Sequence, residues 1–338
     1  MLNWYLQSGE KSEVVISTRI RLARNLANFP FIEKCNKNQL KQIQETIKQI
    51  TPSIGYGLKY MELEDMDDIT KMSLVEKHIV SPNFALNKEQ IGAILINNEE
   101  NIAIMVNEED HLRIQVFGSG LELENLINIA IEIDEKLQSL LKYAYNKQYG
   151  FLTQCPTNVG TALRASVMAH LPALTATRNI SKILEIITNF GMNIRGVYGE
   201  GTKAQGNMYQ ISNKQSLGIS EQEIIKNLKI ITDKVIEQEK IARQYLLKNA
   251  IELEDKVYRS YGILANCKKI SSEEAEQLIS DIRLGTDLGI IKELNDQKVN
   301  QIQLYTKPAN LQKYMGKQYN SYERDIKRAE AIKQIMSK

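Results

Sequence analysis

The stretch from residue 91 to residue 117 constrains the fold of this chain more than any other. It holds three short apolar runs, at 91–96 (IGAILI), 101–106 (NIAIMV) and 111–117 (HLRIQVF), with a turn at 97–100 between the first two. Apolar runs this short, bounded by polar turns, read as strands. In the third, alternation sets Leu112, Ile114 and Val116 on one face and His111, Arg113 and Gln115 on the other, because successive strand side chains point to opposite faces. The expectation is an antiparallel meander with one polar face.

Other segments fill in around it. Residues 14–26 (VVISTRIRLARNL) begin as a strand-like run and become densely basic. Asn36 is placed to cap a helix carrying Leu40, Ile43, Ile47 and Ile50 on one stripe. Residues 121–145 read as a long amphipathic helix. Residues 155–158 (CPTN) form a turn, followed by an expected helix through Arg164 and Met168. A helix over 180–190 is ended by Gly191. Residues 193–197 and 208–211 are expected to pair as strands around the glycine-rich YGEGTKAQGN. Ser220 with Glu223 makes a capping box, opening a long helix with Ile224, Leu228, Ile231 and Val235 on one stripe. Ser271 with Glu274 makes a second box, and a charged helix over about 319–337 closes the chain. The character changes near residue 246, from mixed strands and helices to short helices with polar connections. The reading is therefore α+β for 1–245, a central antiparallel sheet flanked by helices, followed by a small helical domain over 246–338.

Composition excludes more than it assigns. In 338 residues, 43% are apolar and 25% charged, ordinary values for a soluble globular protein. A formal net charge of +2 gives no bulk attraction to nucleic acid or an anionic membrane. No stretch has the roughly 18 apolar residues of a membrane span, and the N-terminal residues lack an apolar signal core. The cytoplasm is the expected location. Cys35, Cys155 and Cys267 are odd in number and widely spaced, which fits neither a disulfide framework nor a zinc site.

Three features carry chemistry. Arginines recur inside structured segments at Arg19, Arg21, Arg113, Arg164 and Arg195. NEEDH at 107–111 sets three consecutive acids at a strand entrance. Glu200 lies in the glycine-rich loop. Singly, each has an ordinary reading as a solvated strand face, a polar turn or a plain loop. Together they suit phosphoryl transfer, where catalysis is positioning and electrostatic stabilisation of charged oxygens, and where arginine offers a planar, permanently charged fork. A GxxxxGKS/T loop is absent, as are the HRD and DFG signatures of protein kinases. Arginines would have to do the work of a phosphate-binding loop.

Four segments in the same order, STRIRLARNL (17–26), NEEDHLR (107–113), CPTNVGTALRAS (155–166) and RGVYGEGT with the later GN and ISN (195–213), resemble the guanidino (phosphagen) kinases. The likeness spans about residues 14–245 and is strongest to the bacterial protein-arginine kinases of that family. It implies a nucleotide site formed by Ser17, Thr18, Arg19, Ile20 and Arg21, by His78 and Arg113, by Arg164, Ala165, Ser166, Val167 and Met168, and by Arg195, Gly196, Val197, Tyr198 and Gly199. It implies that Glu109 and Glu200 hold the acceptor guanidinium, with Cys155 beside it. Physical chemistry suits these roles. A guanidinium pKa of up to about 13.8 forbids ground-state deprotonation by a carboxylate, yet two carboxylates can clamp it, aim one nitrogen at the γ-phosphorus and take the proton as the N–P bond forms. A thiolate at Cys155 would add a negative contact, favoured by the bound cation and a helix N-terminus. Mg²⁺ is expected with ATP, held mainly by nucleotide and water, with no protein metal cage.

The resemblance also bears on the substrate. Small-molecule guanidino kinases carry a helical domain ahead of the first arginine motif, which here begins at Ser17; a more open acceptor side, suited to arginine on a polypeptide, is the expectation. The segment RDIKRA resembles a phosphoarginine-binding motif of the protein-arginine kinases, implying that role for Arg324, Asp325, Arg328 and Ala329. Arg324 and Arg328, four apart, share a helix face. Lys203 stands where relatives favour an acid, which bears on substrate preference. The implied partners are arginine-bearing proteins, a small zinc-binding activator, a heat-shock repressor as substrate, the Clp protease machinery and a second copy of the chain in a homodimer. The rivals are a kinase for free arginine or another small guanidino compound, and a non-catalytic phosphoarginine-binding adaptor.

Overall fold

The run at residues 14–26 becomes the middle of the sheet because its alternate residues suit two environments. In the computed structural model, which describes residues 3–87, 89, 91–196 and 205–337, β1 (Val15–Arg24) buries Ile20 and Leu22 on one side and sends Arg19 and Arg21 to the other. The chain continues through α1 (Lys37–Ile54), β2 (Lys59–Glu62), α2 (Asp68–Glu76) and α3 (Pro82–Leu86) to the meander β3 (Ala93–Ile96), β4 (Ile102–Val106) and β5 (Leu112–Ser119). Asn36 caps α1 in a reciprocal box with Gln39, which satisfies two backbone donors that the helix start leaves over. Next come α4 (Leu123–Leu140), the short hairpin β6 (Tyr145–Asn146) and β7 (Gly150–Phe151), and β8 (Leu163–His170). The first unit closes with α5 (Pro172–Ala176), α6 (Ile180–Asn189), β9 (Met192–Gly196), β10 (Met208–Asn213) and α7 (Glu221–Leu247).

Eight of these strands form one antiparallel sheet in the order β2-β3-β4-β5-β1-β8-β10-β9. One face carries the main core, where Ile20, Ile114, Val116, Ala165, Val167 and Ile211 meet α4 and α7. On the other face, α2, α3 and the segment after α2 cover the β3–β5 end through Leu74, Ile79 and Phe84. The part of that face around β1, β8, β10 and β9 carries the arginines instead.

Three expectations need correction, the smallest being that Ser271 caps its helix by accepting from Glu274 N at 3.1 Å without the return bond of a box. Residues 163–170 are strand β8 and not a helix through Arg164 and Met168. Leu163, Ala165, Val167 and Ala169 are all buried, a period of two, and the segment pairs with β1 on one side and β10 on the other; the four-residue spacing of Arg164 and Met168 suits a strand face equally well. The long helix also stops at Leu140, and Tyr145 already lies in β6. The three strands at 91–117, the paired strands around the glycine-rich loop, the helix ended by Gly191 at φ 72° and the Ser220 capping box are as expected.

The remaining helices are α8 (Ala250–Asn266), α9 (Ser272–Asp287), α10 (Asp296–Tyr305), α11 (Pro308–Met315) and α12 (Ser321–Met336), gathered around Val257, Ile279, Ile282, Val299 and Ile332. They dock firmly on the sheet unit. The Glu76 carboxylate at the end of α2 accepts from Ala309 N at 2.7 Å and Asn310 N at 2.8 Å, at the first turn of α11, a favourable place for a negative charge. Ser280 on α9 meets His170 at 2.8 Å and accepts from Asn207 at 2.8 Å. No described helix is long and apolar enough to cross a membrane.

Candidate functional site

Strand register collects the arginines. Across β1 and its neighbours Arg19 faces Ser166, Arg21 faces Arg164 and Gln115, and Arg113 faces Ala23; across β10, Gln210 faces Met168 on one side and Arg195 on the other. Paired residues of an antiparallel sheet project from the same face. Ser17, Arg19, Arg21, Arg113, Arg164, Ser166, Met168 and Arg195 therefore share one face, delivered by four strands. The interleaved Thr18, Ile20, Ala165 and Val167 point the other way and are buried. Thr18 Oγ1 donates to Gly120 O at 2.6 Å, so this side chain serves the strand crossing and not the arginine face.

This face is electrostatically incomplete. Arg21 and Arg164 are direct cross-strand partners, and like charges placed so repel. Burial, together with Arg113 and Arg164, pushes the Arg19 guanidinium down to about 9, and burial with Arg19, Arg113 and Arg164 lowers Arg21 as well. Arg21 Nε is buried without a hydrogen-bond partner. A polyanion laid across the face would relieve all three. His78, in the left-handed region at φ 62°, accepts from Arg19 Nη1 through its carbonyl at 3.4 Å; burial, then Lys307 and Arg19, hold its imidazole neutral. His78 lines, with Arg19, Arg21, Arg113 and Arg195, a groove of about 680 Å³.

The acidic run is divided among three tasks. Glu108 accepts from Arg113 Nη1 at 2.6 Å and from Ser81 Oγ at 2.6 Å. Burial opposes its charge, but Arg113 and these hydrogen bonds hold it below the usual glutamate range. Asp110 is buried and accepts from Asn25 Nδ2 at 2.6 Å and Gln154 N at 2.8 Å. It thereby ties the strand entrance to the segment that carries Cys155. Glu109 alone of the three has no hydrogen-bond partner for its carboxylate among the described residues. Burial raises its pKa, with Arg113 opposing.

Cys155 is half-buried at the start of a single 3₁₀ turn, Pro156–Asn158, with its Sγ 3.1 Å from Thr157 Oγ1. Cys155, Glu109, Arg21, Arg113 and Arg164 line a second cavity of about 150 Å³. Arg21 and Arg113 belong to both cavities, so the cationic groove and the Glu109–Cys155 cavity meet at those two guanidinium groups. Gly196 lines the groove. Val197, Tyr198, Gly199, Glu200 and Lys203 lie outside the described residues, and the expected Glu109–Glu200 pair with them.

Beneath the site, Arg24 locks the strand end in place. It is 2% exposed, pairs with Asp134 through Nε at 3.0 Å and Nη2 at 2.6 Å, and its guanidinium sits 3.5 Å from the Phe151 ring. The RDIKRA residues are far less open than spacing implied. Arg328 is 1% exposed. Its Nε donates to Thr306 O at 2.7 Å, and its Nη1 to Ile270 O at 2.8 Å and Asp325 Oδ1 at 2.6 Å. Ala329 is buried, while Arg324 and Asp325 are partly exposed. The residues that sequence reading passed over are Glu108, Ser81, Asn25, Asp110 and Gln154, together with Lys307 in the groove wall. Of these only Glu108 and Asp110 had a local signal, as members of the acidic NEEDH run.

A face of arginines from four strands, opening beside an unpaired glutamate and a cysteine, defines a phosphotransferase of the guanidino class. The family model "ATP:guanido phosphotransferase, C-terminal catalytic domain" matches residues 38–242, and "Protein-arginine kinase McsB C-terminal domain" matches residues 250–338. A protein-arginine kinase of Halothermothrix orenii is 46% identical over 98% of this chain and 95% of the relative, and one of Geobacillus stearothermophilus is 45% identical over 98% and 92%. Among solved structures, a lombricine kinase superposes with a TM-score of 0.60 at 26% identity over 69% of this chain and 68% of that one. A duplicated taurocyamine kinase of Schistosoma mansoni with transition-state analogue components gives 0.62 at 26% identity over 78% and 38%. The chain belongs to the ATP:guanido phosphotransferase family and, within it, to the protein-arginine kinases.

Proposed function

We propose that this chain transfers the γ-phosphoryl group of ATP to the guanidinium of arginine side chains in proteins. The observation that carries the reading is the junction of the two cavities at Arg21 and Arg113. A triphosphate along the arginine groove presents its terminal phosphorus at that junction, and a guanidinium in the smaller cavity meets it from the Glu109–Cys155 side. One guanidinium nitrogen attacks the γ-phosphorus, the bond from phosphorus to the bridging oxygen breaks, and ADP leaves. Glu109 takes the proton released as the N–P bond forms, in concert with Glu200. Cys155 adds negative character beside the cation. The arginines stabilise charge spread over the phosphoryl oxygens in a site where their mutual repulsion already favours an anion.

ATP is the phosphoryl donor of this family. Among the described residues no group of three or more His, Cys, Asp or Glu could hold a metal ion; Mg²⁺, which neutralises phosphate charge in such transfers, would ride on the nucleotide, with the arginines holding the phosphates. Residues 1–245 form the phosphotransferase unit, and 246–338 the helical unit that recognises phosphoarginine. In the latter, Arg324 and Asp325 supply the accessible groups, and Arg328 and Ala329 hold the helix in place. Marking of proteins for Clp proteolysis, inactivation of a heat-shock repressor, an activator protein, a homodimer and a cytoplasmic setting belong to the same reading.

Incubation with ATP and an unfolded protein, followed by arginine-phosphosite mapping under non-acidic conditions, tests it. Phosphorylated arginine in the protein, with free arginine a poor acceptor, is the expected result. Turnover of free arginine alone would make the chain a metabolic guanidino kinase. No turnover with retained phosphoarginine binding would make it an adaptor.

A further inference from the structure

A third cavity, of about 120 Å³, lies behind the arginine groove, between the sheet unit and the C-terminal helices. Ser17, His78 and Met168 form one wall. Arg283 and Ile279 on α9, Leu304 on α10 and Lys307 just before α11 form the other. The cavity is continuous with the groove, since His78, Gln205 and Lys307 line both. The two ends differ in chemistry. Arg19, Arg21, Arg113 and Arg195 line the groove and not the inner cavity, whereas Ile16, Ile279 and Leu304 line the inner cavity and not the groove. A ligand with an anionic tail and a partly apolar head with polar edges suits the two ends, and a nucleotide has that chemistry.

The helical wall is built for a ligand. Arg283 is buried; its Nη2 donates to Asn300 Oδ1 at 2.8 Å and Gln303 Oε1 at 2.7 Å, while its Nε is buried without a partner. A buried unpaired donor costs about 1–3 kcal/mol, which a ligand acceptor would remove. Lys307 Nζ donates to Glu76 O at 3.0 Å, which holds the ammonium at the junction with donors to spare. Burial lowers its pKa, with Glu276 and Glu76 opposing; a bound anion would favour the charged form.

We propose that the C-terminal helices complete the nucleotide site: the base and ribose occupy the inner cavity, and Lys307 is a nucleotide-binding residue at its mouth. The inference rests on the kinase reading above. It makes ATP a bridge between the sheet unit and the helical unit, so whatever alters the seating of α9–α11 alters nucleotide affinity by the same free energy.

Calorimetry on the full chain with ADP, and with tripolyphosphate as a probe lacking base and ribose, tests this. Ile279→Trp fills the inner cavity; it should raise the Kd for ADP at least about tenfold and leave that for tripolyphosphate within about twofold. Lys307→Met should weaken ADP about tenfold, and Lys307→Arg should restore most of the loss. Hydrogen exchange on the unsubstituted chain needs no variant: ADP should slow exchange in α9 and α10, and tripolyphosphate should not. Unchanged ADP affinity in a folded Ile279→Trp protein, or no ADP-dependent protection of α9 and α10, overturns the inference. If the unsubstituted chain binds neither probe, the kinase reading itself falls; if it binds both and the ADP-specific effects are missing, only the bridge falls.

Discussion

Replacing Glu109 by Gln keeps the shape of the side chain and removes a negative charge and a proton acceptor. Its neighbours cannot take over, because Glu108 is engaged by Arg113 and Ser81 and Asp110 by Asn25 and Gln154. A positioned general base contributes about 10²–10⁴-fold. Glu109→Gln should therefore lower kcat by about that factor, about 3–5 kcal/mol, with little change in KM for ATP. Glu108→Gln is the contrast. It takes the charge from a 2.6 Å ion pair with Arg113, and a hydrogen bond between charged groups contributes about 1.5–3 kcal/mol. That loss should fall on KM for ATP, by about 10- to 100-fold. Initial rates of ADP release with a protein acceptor, over a range of ATP, separate the two. Burial raises the Glu109 pKa, so the base form is present above that pKa and lost below it. The acid limb of kcat/KM should lie above the usual glutamate value near 4.3, and Glu109→Gln should lack it. A Glu109→Gln enzyme within about threefold of the original rate, or one whose whole defect is in KM for ATP, would refute the assignment.

His111 supplies a pH dependence of stability. Its Nδ1 accepts from Leu26 N at 2.9 Å and its Nε2 faces Pro30 O at 2.9 Å, an arrangement that requires the neutral ring; burial pushes its pKa down to about 4. The unfolded chain takes up the proton near pH 6.5 and the folded one does not, so this stabilisation is complete above about 6.5 and declines by up to about 3 kcal/mol as pH falls toward 4. Denaturant midpoints should drop over that window, less so for His111→Gln; equal pH profiles would count against the account. In α12, Arg328→Ala leaves the Thr306 and Ile270 carbonyls without their donor and should cost about 3–5 kcal/mol. Arg324→Ala should change stability by less than about 0.5 kcal/mol while weakening phosphoarginine binding. Thermal melts and phosphoarginine calorimetry distinguish these, and equal effects of both variants on stability would refute the division of labour.

Much of the sheet was legible because strand and turn signals are local. The meander at 91–117, the strands flanking the glycine-rich loop and the capped helices follow from alternation and cap residues within a few positions. Residues 163–170 were misread: Leu163, Ala165, Val167 and Ala169 alternate with a period of two, but the four-residue spacing of Arg164 and Met168 also fits a helix face, and pairing with β1 and β10 makes the segment a strand. The same limit applied to the acids. NEEDH marks a charged strand entrance, but nothing in the order of Glu108, Glu109 and Asp110 says which one is held by Arg113, which by Asn25 and Gln154, and which is left to act.

The sequence by itself determined the residue types and, Arg164 apart, their strand positions: cationic forks at alternate sites, an acidic run, a cysteine before proline and the motif order that marks the family. Those are properties of neighbours along the chain, set by a period of two and by local turn chemistry. Only the tertiary structure decided which of these groups meet. Register across four strands aligned Arg21 with Arg164, burial turned Arg328 from a ligand fork into a clamp on two carbonyls, and docking of α9–α11 brought Lys307 and Arg283 beside His78. Such meetings depend on contacts between residues far apart in the chain, where the free energy of burial and charge pairing is settled by the whole fold.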